Sequence, residues 1–391
     1  MAEVDRGTYE SRGLEEKKLP RVVMVTFFVA VLFAASLSLL PGPASDIPPT
    51  PVPAGISYTS HDRIYIDSDA EFCNTDYPGN GVVSGNGTAS NPYIIEGWNI
   101  SAAPGDGIRI RFTNAYFIVR DCYVHDGGSS YLGINLDGTS NGIVSNNTCS
   151  NDKYGIHLRA SHGNTLSNNT CYSNKQYSIF LEVSSGNTLS NNNCSNGNYG
   201  IYLDESYSNA ISNNTCNSNA QSGMWLWLSY YNAISNNTCN SNGQYGILLQ
   251  TMTSNIISWN EICNNTLQGV CLKVGPNYRI WNNTFIGNNG AGSIYDSNHI
   301  QACDNGTNNW WNSTNGYGNY WGDWTTPDDV PRIGIVDLPY NITGTAGTND
   351  SYPLTSRKVS APPIPEFSEM IIPIVGLMLI ALIFGRTRKK P

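Results

Sequence analysis

Glu182 and Asp204 stand 22 residues apart, each at the end of the same phrase: Phe180-Leu181-Glu182 and Tyr202-Leu203-Asp204. His157-Leu158-Arg159 comes 23 residues before the first, and Trp225-Leu226-Trp227 comes 23 residues after the second. If two carboxyls approach within roughly 5 Å, they can act as acid and nucleophile of a retaining glycosidase. Their mutual repulsion would also raise one pKa, as an acid catalyst requires. Flat rings beside carboxylates suit the apolar faces and hydroxyls of sugars. His157, Arg159, Phe180, Glu182, Tyr202, Asp204, Trp225 and Trp227 are therefore the candidate ligand-binding residues, with Glu182 and Asp204 as the alternative catalytic pair.

What positions them is a repeat. The column Gly133, Gly155, Ser178, Gly200, Gly223, Gly246 and Gly269 has separations of 22, 23, 22, 23, 23 and 23. Gly155, Gly200 and Gly223 each stand sixteen residues before Cys171, Cys216 and Cys239. Helical repeats usually need about 33 residues or more and helix formers. These units are rich in Asn, Ser, Thr and Gly with alternating apolar residues, which predicts short strands joined by tight turns. Each strand would pair in parallel with its counterpart one coil away, about 4.8 Å along the stack. The expected fold is all-β, a single-stranded parallel β-helix.

Equal spacing makes columns. In Gly-Ile-x-Leu-x the residues marked x point outward when Ile and Leu point inward. One outward column is Arg109, Asn135, His157, Phe180, Tyr202, Trp225, Leu248 and Cys271. The second is Arg111, Asp137, Arg159, Glu182, Asp204, Trp227, Gln250 and Lys273. An exposed patch of Phe180, Tyr202, Trp225 and Trp227 is expected, the alternative being rings covered by a loop or serving cross-strand stability.

An inward column holds Cys149, Cys171, Cys194, Cys216 and Cys239, then Ile262 and Phe285. Its apolar replacements predict buried thiols acting as small hydrophobes. Disulfides between coils or a metal site are the alternatives, and the spacing lacks the close CxxC pairing of zinc sites. Two residues earlier stand Asn147, Asn169, Asn192, Asn214, Asn237, Asn260 and Asn283. Asparagine tolerates left-handed backbone, and stacked amides bond to one another, so a ladder at a turn is expected. The sequons starting at Asn146, Asn168, Asn213 and Asn236 arise from the same phrase. Cys73 and Cys122 fall outside the ladder and receive no partner.

The expected organisation has a cytoplasmic segment 1–21, an apolar signal peptide or anchor 22–40, and a proline-rich linker 41–59. Residues 60–106 form an N-terminal cap with irregular coils, 107–290 the regular coils, and 291–356 an aromatic C-terminal cap. A second proline-rich linker 357–369, an apolar segment 370–385 and a basic tail 386–391 follow. The apolar segments predict flanking helices at the membrane, with basic ends inside and the repeat outside. Trp310, Trp311, Tyr317, Tyr320, Trp321 and Trp324 are expected to plug the core, with sugar stacking as the alternative. Asp323, Asp328, Asp329 and Asp337 lack the alternation and glycine of a calcium loop.

The coils resemble the right-handed parallel β-helix repeats of NosD-like and related carbohydrate-binding or sugar-hydrolase proteins, a pectin-lyase-like solenoid. The resemblance covers roughly Ser60 to Leu354 and includes the phrases Asn91–Ile100, Gly318–Trp324 and Ser351–Leu354. It implies a role in copper delivery, yet copper wants Cys, Met and His ligands and His157 has no second histidine in its column. Residues 365–391, with Pro365-Glu366-Phe367, an apolar run and a basic end, resemble archaeal PEF-type sorting signals. With 21 basic and 30 acidic side chains the net charge is -9, so nucleic acid is not an expected partner. The expectation is a membrane-anchored cell-surface protein, non-catalytic, without cofactor, binding polysaccharide along the outward face. A polysaccharide hydrolase or lyase using the same groove is the alternative, and a purely structural envelope protein a further one.

Overall fold

A computed structural model describes residues 58–72, 79–251, 253–325, 328 and 334–357. Both apolar terminal segments, Cys73 and Asp329 lie outside them. Among the described residues no helix is long and apolar enough to cross a membrane.

The described chain is a parallel β-solenoid of the right-handed type with three faces. The first face is a ten-stranded sheet running from Ile64–Ile66 and Ile108–Thr113 to Val270–Val274 and Ala302–Asp304. The second is also ten-stranded and begins with an antiparallel strand, Val82–Ser84, laid against Tyr93–Glu96. The third splits into five-stranded and three-stranded parts joined by single bridges through Asn193, Thr215 and Thr238.

Alternation fills the interior. Ile156, Leu158, Ile179, Leu181, Ile201 and Leu203 point inward from the first face and are 0% exposed. The cysteine column is inward as well: Cys149 pairs in register with Cys171, and Cys149, Cys171, Cys194, Cys216 and Cys239 are buried free thiols. Burial pushes the Cys194 and Cys216 thiols up. Thiol-to-thiol hydrogen bonding does the same for Cys149 and Cys239, reinforced by burial. A disulfide does join adjacent coils, but on the outward side, between Cys271 and Cys303 at a Cα separation of 4.6 Å.

The corners are held by side chains. From Asn147 through Asn169, Asn192, Asn214, Asn237, Asn260 and Asn283 to Asn319, each amide nitrogen donates to the oxygen of the next coil's amide at 2.9–3.1 Å. Each of those oxygens also accepts the backbone N–H of the preceding asparagine. Asp350 ends the run, accepting from Asn319 and from the Trp321 indole. Buried polar groups are thereby satisfied where the chain turns.

One expectation needs correcting. The left-handed backbone does not belong to the ladder asparagines but to their predecessors, Asn146, Asn168, Asn191, Asn213, Asn236 and Asn282, with φ of 54–57°. In each Asn-Asn pair the first residue bends the chain and the second bonds along the stack. The sequon asparagines are thus the benders, with Asn146, Asn168 and Asn213 exposed.

Further ladders stand at the other corners. Asn164, Asn187, Asn209, Asn232 and Asn255 form one, beside Ser161, Ser184, Ser206 and Ser229. Asn219, Asn242, Asn265 and Asn288 form another, and Asp152 with Asn174 occupies the same position in earlier coils. At the C-terminal end Trp321 stacks between Phe285 at 4.3 Å and Tyr340 at 4.0 Å, and Trp311 is fully buried beside them. Trp310 and Tyr317 remain exposed.

Candidate functional site

The parallel register places His157 beside Phe180, Phe180 beside Tyr202, Tyr202 beside Trp225, and Trp225 beside Leu248. It likewise aligns Asp137, Arg159, Glu182, Asp204, Trp227 and Gln250. Gln250 then faces Val274, because a bulge displaces Lys273 from the column. Lys273 instead donates to the Tyr245 hydroxyl at 2.8 Å.

The exposed patch of four rings is not what forms. Phe180 and Tyr202 are each 7% exposed and His157 is 6% exposed. The cause is the residue that precedes each glycine or serine of the repeat. Tyr154 lies 5.3 Å from His157 and 5.2 Å from Phe180, and Tyr177 lies 4.5 Å from Tyr202. Tyr199 covers Trp225 at 5.4 Å. Within the column the rings also cover each other: Phe180 stacks on Tyr202 at 4.9 Å, and Trp225 lies tilted against Tyr202 at 4.6 Å. Solvent therefore meets a half-buried row of Tyr154, Tyr177 and Tyr199, with neighbouring rings 5.4 and 5.6 Å apart, continued by Trp225 and Trp227. Trp227 stands edge-to-face with Trp225, whose indole nitrogen donates to Gln250.

The charges beside this row are partly paired. Asp67 takes up both Arg109 and Arg111, closing the N-terminal end of the columns. Arg159 lies 3.5 Å from Asp137 and 3.7 Å from Glu182. His157 Nε2 is 3.3 Å from Glu182 Oε2 but off the direction of a hydrogen bond, and neither ring nitrogen has a directed partner. His157, followed by Arg159, holds the Glu182 carboxyl below the usual range, against the effect of its partial burial. Asp204, one coil on, is pushed up to about 6, by burial first and then by the charges of Glu205 and Glu182. The two carboxyls expected to act together are thus driven apart in acidity.

Metal binding finds little support in the donors. The cysteine column is 0% exposed, and the Cys149, Cys194, Cys216 and Cys239 thiols are pushed up, which favours the thiol, whereas a metal ligand must be the thiolate. Among the described residues no group of three or more His, Cys, Asp and Glu is placed to hold an ion.

Five features were not read from the sequence. The tyrosine row recurs at Tyr154, Tyr177 and Tyr199, and the serine and second asparagine ladders carry the same 22 to 23 spacing, so their signal was present. The bulge at Lys273 and the Cys271–Cys303 bridge have no counterpart in the period.

Comparison with the curated proteins gives no match. Among solved structures the chain is similar to the A-module of the mannuronan C-5 epimerase AlgE4 of Azotobacter vinelandii. The identity is 15%, the TM-score 0.40, and the match covers 61% of this chain and 82% of that one. Pectate lyase Pel9A gives 15% identity and a TM-score of 0.39, covering 66% and 81%. The Dettilon tailspike protein gives 16% and 0.38, covering 62% of this chain and only 60% of its own length. The profile of the family NosD, described as periplasmic copper-binding protein, matches residues 60–268 and 133–326. These matches span more than half of the 391 residues, and the chain belongs to the NosD family.

Proposed function

We propose that this protein is a non-catalytic component of the cell envelope whose first face binds an extended polysaccharide. One observation carries the reading: the half-buried row Tyr154, Tyr177, Tyr199, Trp225 and Trp227, one step per coil, flanked by Arg159, Glu182 and Asp204. The rings of the row are tilted against one another, and the row joins apolar ring area to the tyrosine hydroxyls. Such a surface offers rigid amphipathic area at low entropy cost, with charges to orient the hydroxyls of a sugar. Anchoring through the terminal apolar segments belongs to this proposal, and it would hold the repeat outside the membrane. The copper of the family description is not part of it, since the donors do not fit.

A specific observation favours a second reading, hydrolysis. Glu182 held ionised and Asp204 pushed up to about 6 have the split acidity of a nucleophile and an acid. The purified full chain, screened against a polysaccharide panel with a reducing-end assay on every hit, separates the two. Binding without new ends, lost in Trp225→Ala with Trp227→Ala, is the expected result. New ends that vanish in Glu182→Gln or Asp204→Asn would make it an enzyme. Absence of binding to every glycan would overturn both readings and leave a structural coil.

A further inference from the structure

A cleft of about 320 Å³ opens on the third face at its N-terminal end, built from the Ser60–Arg63 loop, strand Trp98–Ser101 and strand Tyr123–His125. It lies on a different sheet from the ring row. Its volume sits near the lower end of the roughly 300–1,000 Å³ of small-molecule sites. Polar side chains dominate the lining, and two imidazoles and a guanidinium converge there.

Both imidazoles are set before any ligand arrives. His125 stacks on Tyr123 at 4.4 Å, with Nδ1 2.8 Å from Asp126 Oδ2 and Nε2 2.8 Å from Asn99 Oδ1. His61 is tilted against Trp98 at 4.5 Å, and its Nδ1 is 2.6 Å from the Asp62 carbonyl. A carbonyl only accepts, so Nδ1 carries the proton and Nε2 is turned elsewhere.

Arg63 is the informative residue. Arg109 and Arg111 face Asp67, Arg120 faces Glu96, and Arg159 faces Asp137 and Glu182. Among the described residues Arg63 makes no ion pair, nor do Arg279 and Arg357, which lie over the Trp310 and Tyr320 rings; Arg63 instead donates from Nε to the Tyr65 hydroxyl at 3.2 Å. Gly105 makes room for this seat, since a Cβ there would collide with the Tyr65 hydroxyl and stand 3.2 Å from Arg63 Nε. In a chain of net charge -9, an arginine without a carboxylate, in a polar cleft with the Ser60 and Ser101 hydroxyls, has the donors for a planar or tetrahedral oxyanion.

We propose that this cleft binds the oxyanion of a saccharide-sized ligand, a uronate carboxylate or a phosphate ester. Arg63 supplies the fork and the Ser60 and Ser101 hydroxyls further donors, while His61 Nε2, an acceptor, suits a hydroxyl of the ligand rather than its anion. Asp62, at the rim, and Asp126, bound to His125, set an upper limit on the charge the ligand brings.

Calorimetric titration of the full chain with galacturonate, with inorganic phosphate and with neutral galactose tests this. Binding of either anion, with galactose at least tenfold weaker, is expected, and the two anions tell carboxylate from phosphate. Arg63→Gln should weaken the anion at least tenfold while Arg63→Lys, which keeps charge but loses the fork, should fall between. Thermal melts of each variant establish that the fold persists. Trp225→Ala with Trp227→Ala should leave this binding unchanged, so the cleft stands or falls apart from the ring row. Silence from both anions, equal binding of galactose, or an unchanged affinity in Arg63→Gln would overturn the proposal.

Discussion

Asn213 and Asn214 are neighbours with opposite duties, and replacing them one at a time makes a sharp test. Asn214 is 1% exposed. Its oxygen accepts the backbone N–H and the amide N–H of Asn192, both at 2.9 Å. Its nitrogen donates to Asn237 and to the Leu189 carbonyl, both at 3.0 Å. Asn214→Ala therefore orphans two buried donors on Asn192 and removes a donor from three acceptors, the Ser212 carbonyl at 3.1 Å being the third. Each stranded donor costs about 1–3 kcal/mol, so the loss should be about 4 kcal/mol. In a domain of this size that lowers Tm by about 6 °C. Asn213 is exposed at φ 57°, and its backbone N–H still reaches the Ser235 carbonyl whatever its side chain. Asn213→Gly trades left-handed strain for backbone freedom and should stay within about 1 kcal/mol of the parent. Guanidinium unfolding followed by tryptophan fluorescence gives both numbers. Hydrogen exchange should localise the damage to the coils holding Asn192 and Asn237, because a solenoid couples nearest neighbours. If Asn214→Ala costs under 1 kcal/mol, or if Asn213→Gly costs as much, the division of labour is wrong.

Three further outcomes follow from the same geometry. Asp152 occupies a ladder position held elsewhere by asparagine; its Oδ2 lacks a partner, and burial raises its pKa well above the usual range. An unfolded aspartate ionises near 3.9, so the native state binds the extra proton, and the stability this group contributes is present below about pH 4 and lost as pH rises. Asp152→Asn should thus gain over the parent from pH 4 to pH 7 in parallel melts; a constant difference would refute the reasoning. Val183 is β-branched, 46% exposed and held at φ 51°, a backbone region that costs L-residues about 1–2 kcal/mol. Val183→Gly should stabilise by about 1 kcal/mol in urea unfolding, and destabilisation would show that the side chain is packed. Finally, the thiols of Cys149, Cys171, Cys194, Cys216 and Cys239 should resist iodoacetamide in the native protein and react in denaturant, as read by mass spectrometry. Labelling of any of them without denaturant would contradict the inward column.

Columns were legible because stacking at a fixed period forces equivalent residues into register, and every pairing from His157 to Leu248 follows from counting. Direction was legible too, since alternation tells inward from outward. Cover was not. Phe180 and Tyr202 do point outward, yet they are buried by Tyr154 and Tyr177, the first residues of their own and the neighbouring strands, and the period that aligns two columns of rings does not tell that one lies over the other. The asparagine ladder was correctly located, but its backbone role was assigned to the wrong member of each pair, because both are asparagine and composition cannot separate a bend from a bond. Lys273 was misplaced by a single bulged residue, which counting passes over. The cleft around Arg63 lay in the irregular first coils, where no period exists to align Ser60, Asn99 and His125.

The amides of the long asparagine run all point one way, each giving to the next, until Asp350, which receives and has nothing to pass on. Removing one whole turn from the middle would leave Asn169 to give to Asn214 in place of Asn192, with no change in chemistry. The molecule can therefore grow or shrink by duplicating or losing complete turns without redesign of its interior. Its end is different: a carboxylate that only accepts gives no start to another molecule's run, so copies set end to end would find no continuation there. Length is free to vary in units of a turn, while the stopping point is written into one residue.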